Sequence, residues 1–129
     1  MKTPLIPISF GELFDKLTIL KIKLDKLKNK NALENVKIEY NQLFIIYDND
    51  FSKDENAKRL FADLKQINEK LWHIEDKIRD KERDKAFDEE FIELARSIYI
   101  TNDKRSRIKK NINNTFGSEL FEEKSYSDY

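Results

Sequence analysis

Two glycines and two prolines in 129 residues leave this chain almost no places to make a tight turn. A sheet protein of that length needs many turns, and most of them favour Gly, Pro, Asn or Asp for a specific backbone reason. Long helices joined by few connections are what remains. The apolar residues agree, because they recur three and four apart over long stretches, the period of a helix that buries one face.

The pattern predicts an all-α antiparallel bundle of four main helices with one long central helix, the third, in a single domain spanning 1–129. Pro4 and Pro7 keep residues 1–8 extended, since the residue before a proline avoids the helical region. Ser9 and Glu12 form a capping box. Helix 1 then runs from Phe10 to about Asn29 on the stripe Phe10, Leu13, Phe14, Leu17, Leu20, Leu24 and Leu27. Ile19 and Ile22 fall on its other side, so this helix needs cover on two faces.

Helix 2 is expected over about Ala32–Tyr47, with Leu33, Val36, Tyr40, Leu43 and Tyr47 inward and the turn cluster Asp48-Asn49-Asp50 behind it. A second capping box, Ser52 and Glu55, opens helix 3 at about Lys53. The stripe Ala57, Leu60, Leu64, Ile67, Leu71, Ile74 and Ile78 carries it to Arg83, about 45 Å at roughly 1.5 Å per residue. Asp88 caps helix 4, with Phe87 stapled onto Ile92; that helix continues to about Asn114, with Gly117 as a left-handed stop. The tail, 118–129, folds back through Leu120, Phe121 and Tyr126.

Charge narrows the function classes. Twenty-five basic residues balance 25 acidic ones, so no net field draws the chain toward nucleic acid or an anionic membrane. Without cysteine, disulfides and thiolate metal sites are excluded. No apolar run is long enough to cross a membrane, and the N-terminus lacks the apolar core of a signal peptide. A cytoplasmic setting is the expectation.

The informative anomaly is polarity on apolar stripes. On helix 4 the seam Phe91, Leu94, Ile98 continues through Thr101, Asn102, Arg105 and Lys109. On helix 3, Asn68, Trp72, Glu75 and Arg79 flank the seam. A half-buried arginine costs several kcal/mol unless paired. Glu75 and Arg79 can pair at i,i+4; Arg105 and Lys109 are left to Glu75, to a tail carboxylate such as Glu122 or Glu123, or to an anionic ligand. Two readings follow. Arg79, Arg105 and Lys109 line an anion pocket between helices 3 and 4, or they form a salt-bridge network that fixes register.

Weaker signals have bland explanations. Glu12 with Asp15, and Glu90 with Glu93, repeat a spacing that holds magnesium in all-helical nucleotide hydrolases, but over a third of the chain is charged and chance pairs abound. The run Lys104–Lys110 holds five cations in seven residues, which a solvated helix face explains as well as nucleic acid does. The lone His73 has no catalytic company, and Trp72 reads as core. No phosphate loop, nucleophile elbow or dinucleotide fingerprint occurs, so no cofactor and no metal is assigned.

Four segments, GELFDKLTILKIKLDKL (11–27), LWHIEDKIR (71–79), ARSIYITNDKRSRIKKNIN (95–113) and GSELFEEKSY (117–126), together resemble a family of small uncharacterised helical proteins of bacteria and phages. The match spans nearly the whole chain except about 29–65. The resemblance names no reaction; it implies a surface-glycan or sugar-nucleotide setting. It also makes Glu12, Asp15, Lys16, Glu75, Asp76, Arg79, Asn102, Asp103, Arg105, Glu123, Lys124 and Tyr126 part of the family pattern. A signature of Asp, Lys, Arg and Asn asks for more than packing.

The expected ligand set is therefore Asp15, Lys16, Glu75, Asp76, Arg79, Asn102, Asp103, Arg105, Lys109, Lys124 and Tyr126, around an anionic metabolite such as a sugar phosphate or nucleotide sugar. The rival is a non-enzymatic interaction module. Magnesium-dependent nucleotide hydrolysis is third. A homo-oligomer is expected, because the length of helix 3 and the face of Ile19 and Ile22 seek cover.

Overall fold

The computed structural model describes residues 1–129 and contains helices and no strand. Its elements are α1 (Phe10–Lys26), α2 (Lys30–Phe51), α3 (Glu55–Arg83) and α4 (Glu89–Phe116). Each begins at a side-chain oxygen that accepts a backbone N–H three residues on. Ser9 accepts from Glu12, Asn29 from Ala32, Asp54 from Ala57 and Asp88 from Phe91. Such caps satisfy donors that the first turn leaves without a partner.

Two boundaries differ from the sequence reading. Asn29 caps α2 instead of ending α1, which stops at Lys26. The cluster Asp48-Asn49-Asp50 is no turn: α2 continues through it to Phe51. The reason is packing, because Tyr47 and Phe51, four apart, both enter the core and only an unbroken helix puts them on one face. Ser52 then ends α2, its hydroxyl donating to the Asp48 carbonyl at 2.6 Å, and Asp54 takes over the capping of α3. At the start of α4, Phe87 lies edge-on to Phe91, with ring centroids 5.2 Å apart.

It is the short α1 that makes extensive contacts with all three other helices. Ile22 is 1% exposed and Ile19 is half-buried, so the second face of α1 is largely covered within the chain. Phe14, fully buried, sits among the rings of Tyr47, Phe51, Phe61 and Phe116 at centroid distances of 5.1–6.1 Å. Aromatic pairs of this kind add roughly 0.5–1.5 kcal/mol each beyond the area they bury. With Leu13, Leu17, Ala57, Leu60, Leu64 and Ile112 they form the main core. That core lies where the start of α1, the end of α2, the start of α3 and the end of α4 meet. α3 has 29 residues against 17 in α1, an excess of about 18 Å. Lys85, at φ 54°, closes the α3–α4 turn at the far end. No helix is long and apolar enough to cross a membrane.

α4 comes so close to the start of α1 that only glycine fits there. A Cβ on Gly11 would lie 2.6 Å from the Lys109 carbonyl oxygen and 3.0 Å from Asn113 Oδ1. The Gly11 N–H donates to that Oδ1 at 2.7 Å, and the Phe10 N–H donates to Ser118 Oγ at 3.3 Å. The end of α4 thus caps α1 across the fold. Gly11→Ala is expected to destabilise by about 1–3 kcal/mol, the usual cost of overpacking, although alanine is the better helix former. Urea denaturation measures it; a neutral or stabilising result would show that the contact is loose.

Candidate functional site

Directly above the aromatic core, a carboxylate lies buried. The Asp15 side chain is 3% exposed, on the face of α1 that meets both α3 and α4. Arg105 approaches from α4 with its planar fork: Nε donates to Oδ1 at 2.9 Å and Nη2 donates to Oδ2. Bidentate pairing of this kind is directional and about twice as strong as a neutral hydrogen bond. From α3, Asn68 Nδ2 donates to Asp15 Oδ1 at 3.0 Å and to Thr18 Oγ1 at 2.9 Å. The Thr18 hydroxyl donates to the Asp15 carbonyl. Every buried side-chain polar atom has a partner.

One turn further along α4, the Lys109 ammonium gathers three carboxylates. It donates to Glu122 at 2.9 Å and to Glu12 at 3.1 Å, and lies 3.6 Å from Asp15. Glu12 therefore does not close the capping box; its side chain turns to Lys109 instead. Burial alone would lower the pKa of Lys109, but the hydrogen bond to Glu122, the charge of Asp15 and the bond to Glu12 outweigh it and raise the pKa above the ordinary lysine value. Arg105 behaves likewise: burial opposes its charge, and the hydrogen bond and charge of Asp15 more than restore it. Glu122 is held below the usual carboxylate range, chiefly by its hydrogen bond from Lys109, with Lys124 adding to it at 3.3 Å.

Outside this network, α4 and the tail enclose a cleft of about 250 Å³. Arg107, Lys109 and Lys110 line it from α4, with Asp103; Lys124 and Tyr126 line it from the tail. Arg107 and Lys110 make no ion pair in the fold. The Tyr129 hydroxyl donates to Asp103 and its ring packs edge-on against Tyr99 at 5.3 Å, so the tail lies along α4.

The residues singled out from sequence therefore divide. Asp15, Arg105 and Lys109 meet in the buried network; Asp103, Lys109, Lys124 and Tyr126 meet at the cleft. Asn102 is exposed and accepts from Arg105 Nη1 at 3.2 Å. Lys16 is half-buried beside them and makes no hydrogen bond, and Asp76 is exposed. Arg79 does not join Arg105 and Lys109, which corrects the three-cation pocket between α3 and α4. Its side chain is 79% exposed and pairs with Glu75 at 3.2 Å. Eleven residues separate it from Asn68, about 16 Å along α3. The magnesium arrangement fails on the same ground. Glu90 bonds Lys81 and Glu93 bonds Arg96, and Glu90 stands fifteen residues, about 22 Å, from Arg105 along α4. Arginine and lysine already occupy Glu12 and Asp15.

Asn68, Asn113 and Ser118 make hydrogen bonds that hold this geometry, and none of them is in the expected ligand set. Asn68 did stand out in the sequence as a polar residue on an apolar stripe, and that was its signal. Ser118 had one too, following a helix-stopping glycine in the GSEL segment.

The sequence matches the family of unknown function DUF6165 over residues 4–129, and the chain belongs to that family. No curated protein and no solved structure matches it.

Removing the Asp15 carboxylate leaves Arg105 and Lys109 partly buried without their shared anion. Asp15→Ala is expected to cost about 3–5 kcal/mol, the range for breaking one side of a buried pair. Arg79→Ala, at an exposed pair, is expected to cost less than about 1 kcal/mol. Thermal and urea unfolding of the two variants side by side measures the contrast; equal effects would mean that the Asp15 network contributes no more than a surface pair.

Proposed function

We propose that this member of an uncharacterised family is a single helical domain of the cytoplasm that binds a small anionic metabolite in the cleft between α4 and the C-terminal tail. One observation carries the reading. Arg107 and Lys110 stand without an ion pair at a concave polar surface, where the other two lining cations, Lys109 and Lys124, both pair with Glu122. Arg107, Lys110 and Lys124 supply donors for a phosphate or carboxylate, a role suited to guanidinium and ammonium groups. Asp103 and Tyr126 are placed to bond hydroxyl groups. About 250 Å³ is below the usual 300–1,000 Å³ of drug-sized sites, which favours a ligand of sugar-phosphate size over a nucleotide sugar. In this reading Asp15, Arg105 and Lys109 form the floor that sets the position of α4. The contacts Gly11–Asn113, Glu12–Lys109 and Asp15–Arg105 run in opposite senses along the two helices and support the antiparallel arrangement.

Thermal-shift titration with inorganic phosphate, hexose phosphates and nucleotide sugars tests this. A ligand at a hundred times its Kd stabilises by about 2.7 kcal/mol, which raises the Tm by several degrees. Arg107→Ala with Lys110→Ala is expected to abolish the rise while leaving the ligand-free Tm within about a degree, because both side chains are exposed. If no phosphate or sugar phosphate moves the Tm, the reading fails.

A second reading rests on a separate observation. No residue from Glu75 to Ile100 is buried, although Ile78, Phe91, Leu94 and Ile98 hold the helical seam there and Phe87, Ile92 and Tyr99 are exposed. This half of the α3–α4 hairpin reaches past α1 with its seam half covered, which favours self-association through the hairpin. Light scattering at rising concentration is expected to show a dimer that Ile92→Glu dissociates. A constant monomer mass up to millimolar concentration would exclude it.

A further inference from the structure

The cleft's only contact between the tail and the buried charges is Glu122. Three carboxylates surround the Lys109 ammonium, and they are not equivalent. Glu12 and Asp15 project from α1, held by the core beneath them. Glu122 projects from a segment with no helix, in which every residue from Glu119 to Tyr129 is exposed. Without Glu122 the inner group of Arg105, Lys109, Glu12 and Asp15 is already neutral, two charges of each sign. Its carboxylate is surplus to the buried network.

The wider charge pattern has the same sense. Residues 118–129 carry Glu119, Glu122, Glu123 and Asp128 against one cation, Lys124. They lie along the part of α4 that carries Lys104, Arg105, Arg107, Lys109 and Lys110. An acidic strap thus covers a basic helix face. An ion pair at the middle (Lys109–Glu122) and a hydrogen bond from the Tyr129 hydroxyl to the Asp103 carboxylate at the end hold it.

We propose that Glu122 is a tethered stand-in for the ligand's acid group: an incoming phosphate or carboxylate takes its place against Lys109 and swings the Glu122 carboxylate out of the cleft, while Lys124 and Tyr126 stay along α4, held there by the Tyr129–Asp103 contact. This rests on the anion-binding reading of the same cleft and adds its regulation. Exchange of one oxyanion for another at the ammonium leaves the charge-assisted donor satisfied throughout, so the buried network need not open. Displacement also takes the Glu122 carboxylate from the cleft wall, leaving Arg107, Lys109, Lys110 and Lys124 against Asp103 and Glu123. The ligand then meets a more positive surface than the closed form presents.

The test is an NMR titration of the full chain with inorganic phosphate, comparing wild type with Glu122→Gln. The substitution keeps the shape and removes the competing charge. It is expected to tighten phosphate binding roughly three- to tenfold, the upper figure corresponding to one charge-assisted hydrogen bond of about 1.4 kcal/mol at a half-exposed position. Amide signals of Glu119–Glu123 are expected to move toward random-coil positions in the wild type as phosphate is added, and to stand near them in Glu122→Gln before any is added, while those of Tyr126–Tyr129 keep their places. Equal phosphate affinity in both proteins would overturn the stand-in role while leaving the anion site intact. Weaker binding by Glu122→Gln would show instead that Glu122 organises the site. If phosphate perturbs neither protein, the anion-binding reading itself falls. Unchanged α1 and α4 core signals in the variant confirm that it folds.

Discussion

A carboxylate withdrawn from water is the constraint around which this fold is arranged. Asp15 sits where α1 meets both α3 and α4, and each of those helices must deliver a donor to it. An ionised group in such a place costs several kcal/mol unless paired and hydrogen-bonded. The cost fixes geometry: Arg105 must reach both oxygens, Asn68 must turn its amide inward, and Thr18 must accept the other amide hydrogen. A slip of α4 by one turn would bring Arg105 to Glu12 or Thr18 and take from Asp15 its two-pronged partner. Apolar packing alone tolerates such slips far better, since Leu and Ile fill similar holes one turn apart.

The same logic explains what the sequence disclosed and what it withheld. Local signals were legible. The stripes of α2 and α3, the caps at Ser9 and Asp88, and the left-handed Gly117 all depend on residues within a turn or two of each other. Boundary errors arose where a distant demand overrode a local preference. Asp48-Asn49-Asp50 has turn chemistry, yet Tyr47 and Phe51 both belong to the core and hold the helix through it. Glu12 has capping-box spacing, yet a buried ammonium 97 positions away is a stronger partner for its carboxylate than a backbone N–H.

For the site, the polar intruders were legible and so was one of their candidate partners. Arg105 and Lys109 stood out as groups that needed partners, and the tail carboxylate Glu122, one of those offered, does meet Lys109. That Asp15 would be the common partner was not legible, because it lies 90 residues from Arg105 and shares its helix with other acids at plausible positions. Arg79 misled for a physical reason. Its i,i+4 neighbour Glu75 satisfies it locally, so α3 can turn it to solvent without cost. A charged residue with a partner on its own helix makes no demand on the fold; one without such a partner does. Lys109 is the second kind, since the tail and α1 must come to it.

This distinction also orders the molecule by strength. The end holding the aromatic core and the Asp15 network concentrates the buried residues, whereas the stretch from Glu75 to Ile100 has none. Regions with few buried contacts open at lower free energy than the core. The tail is lighter still, held by ionic and edge contacts over an exposed surface. The basic part of α4 lies between these extremes: its inner cations, Arg105 and Lys109, are fixed by the core end, while its outer ones, Arg107 and Lys110, face the tail. One helix therefore carries a rigid floor and an accessible wall within six residues, and that adjacency lets a cleft form over a network whose own charges are already satisfied.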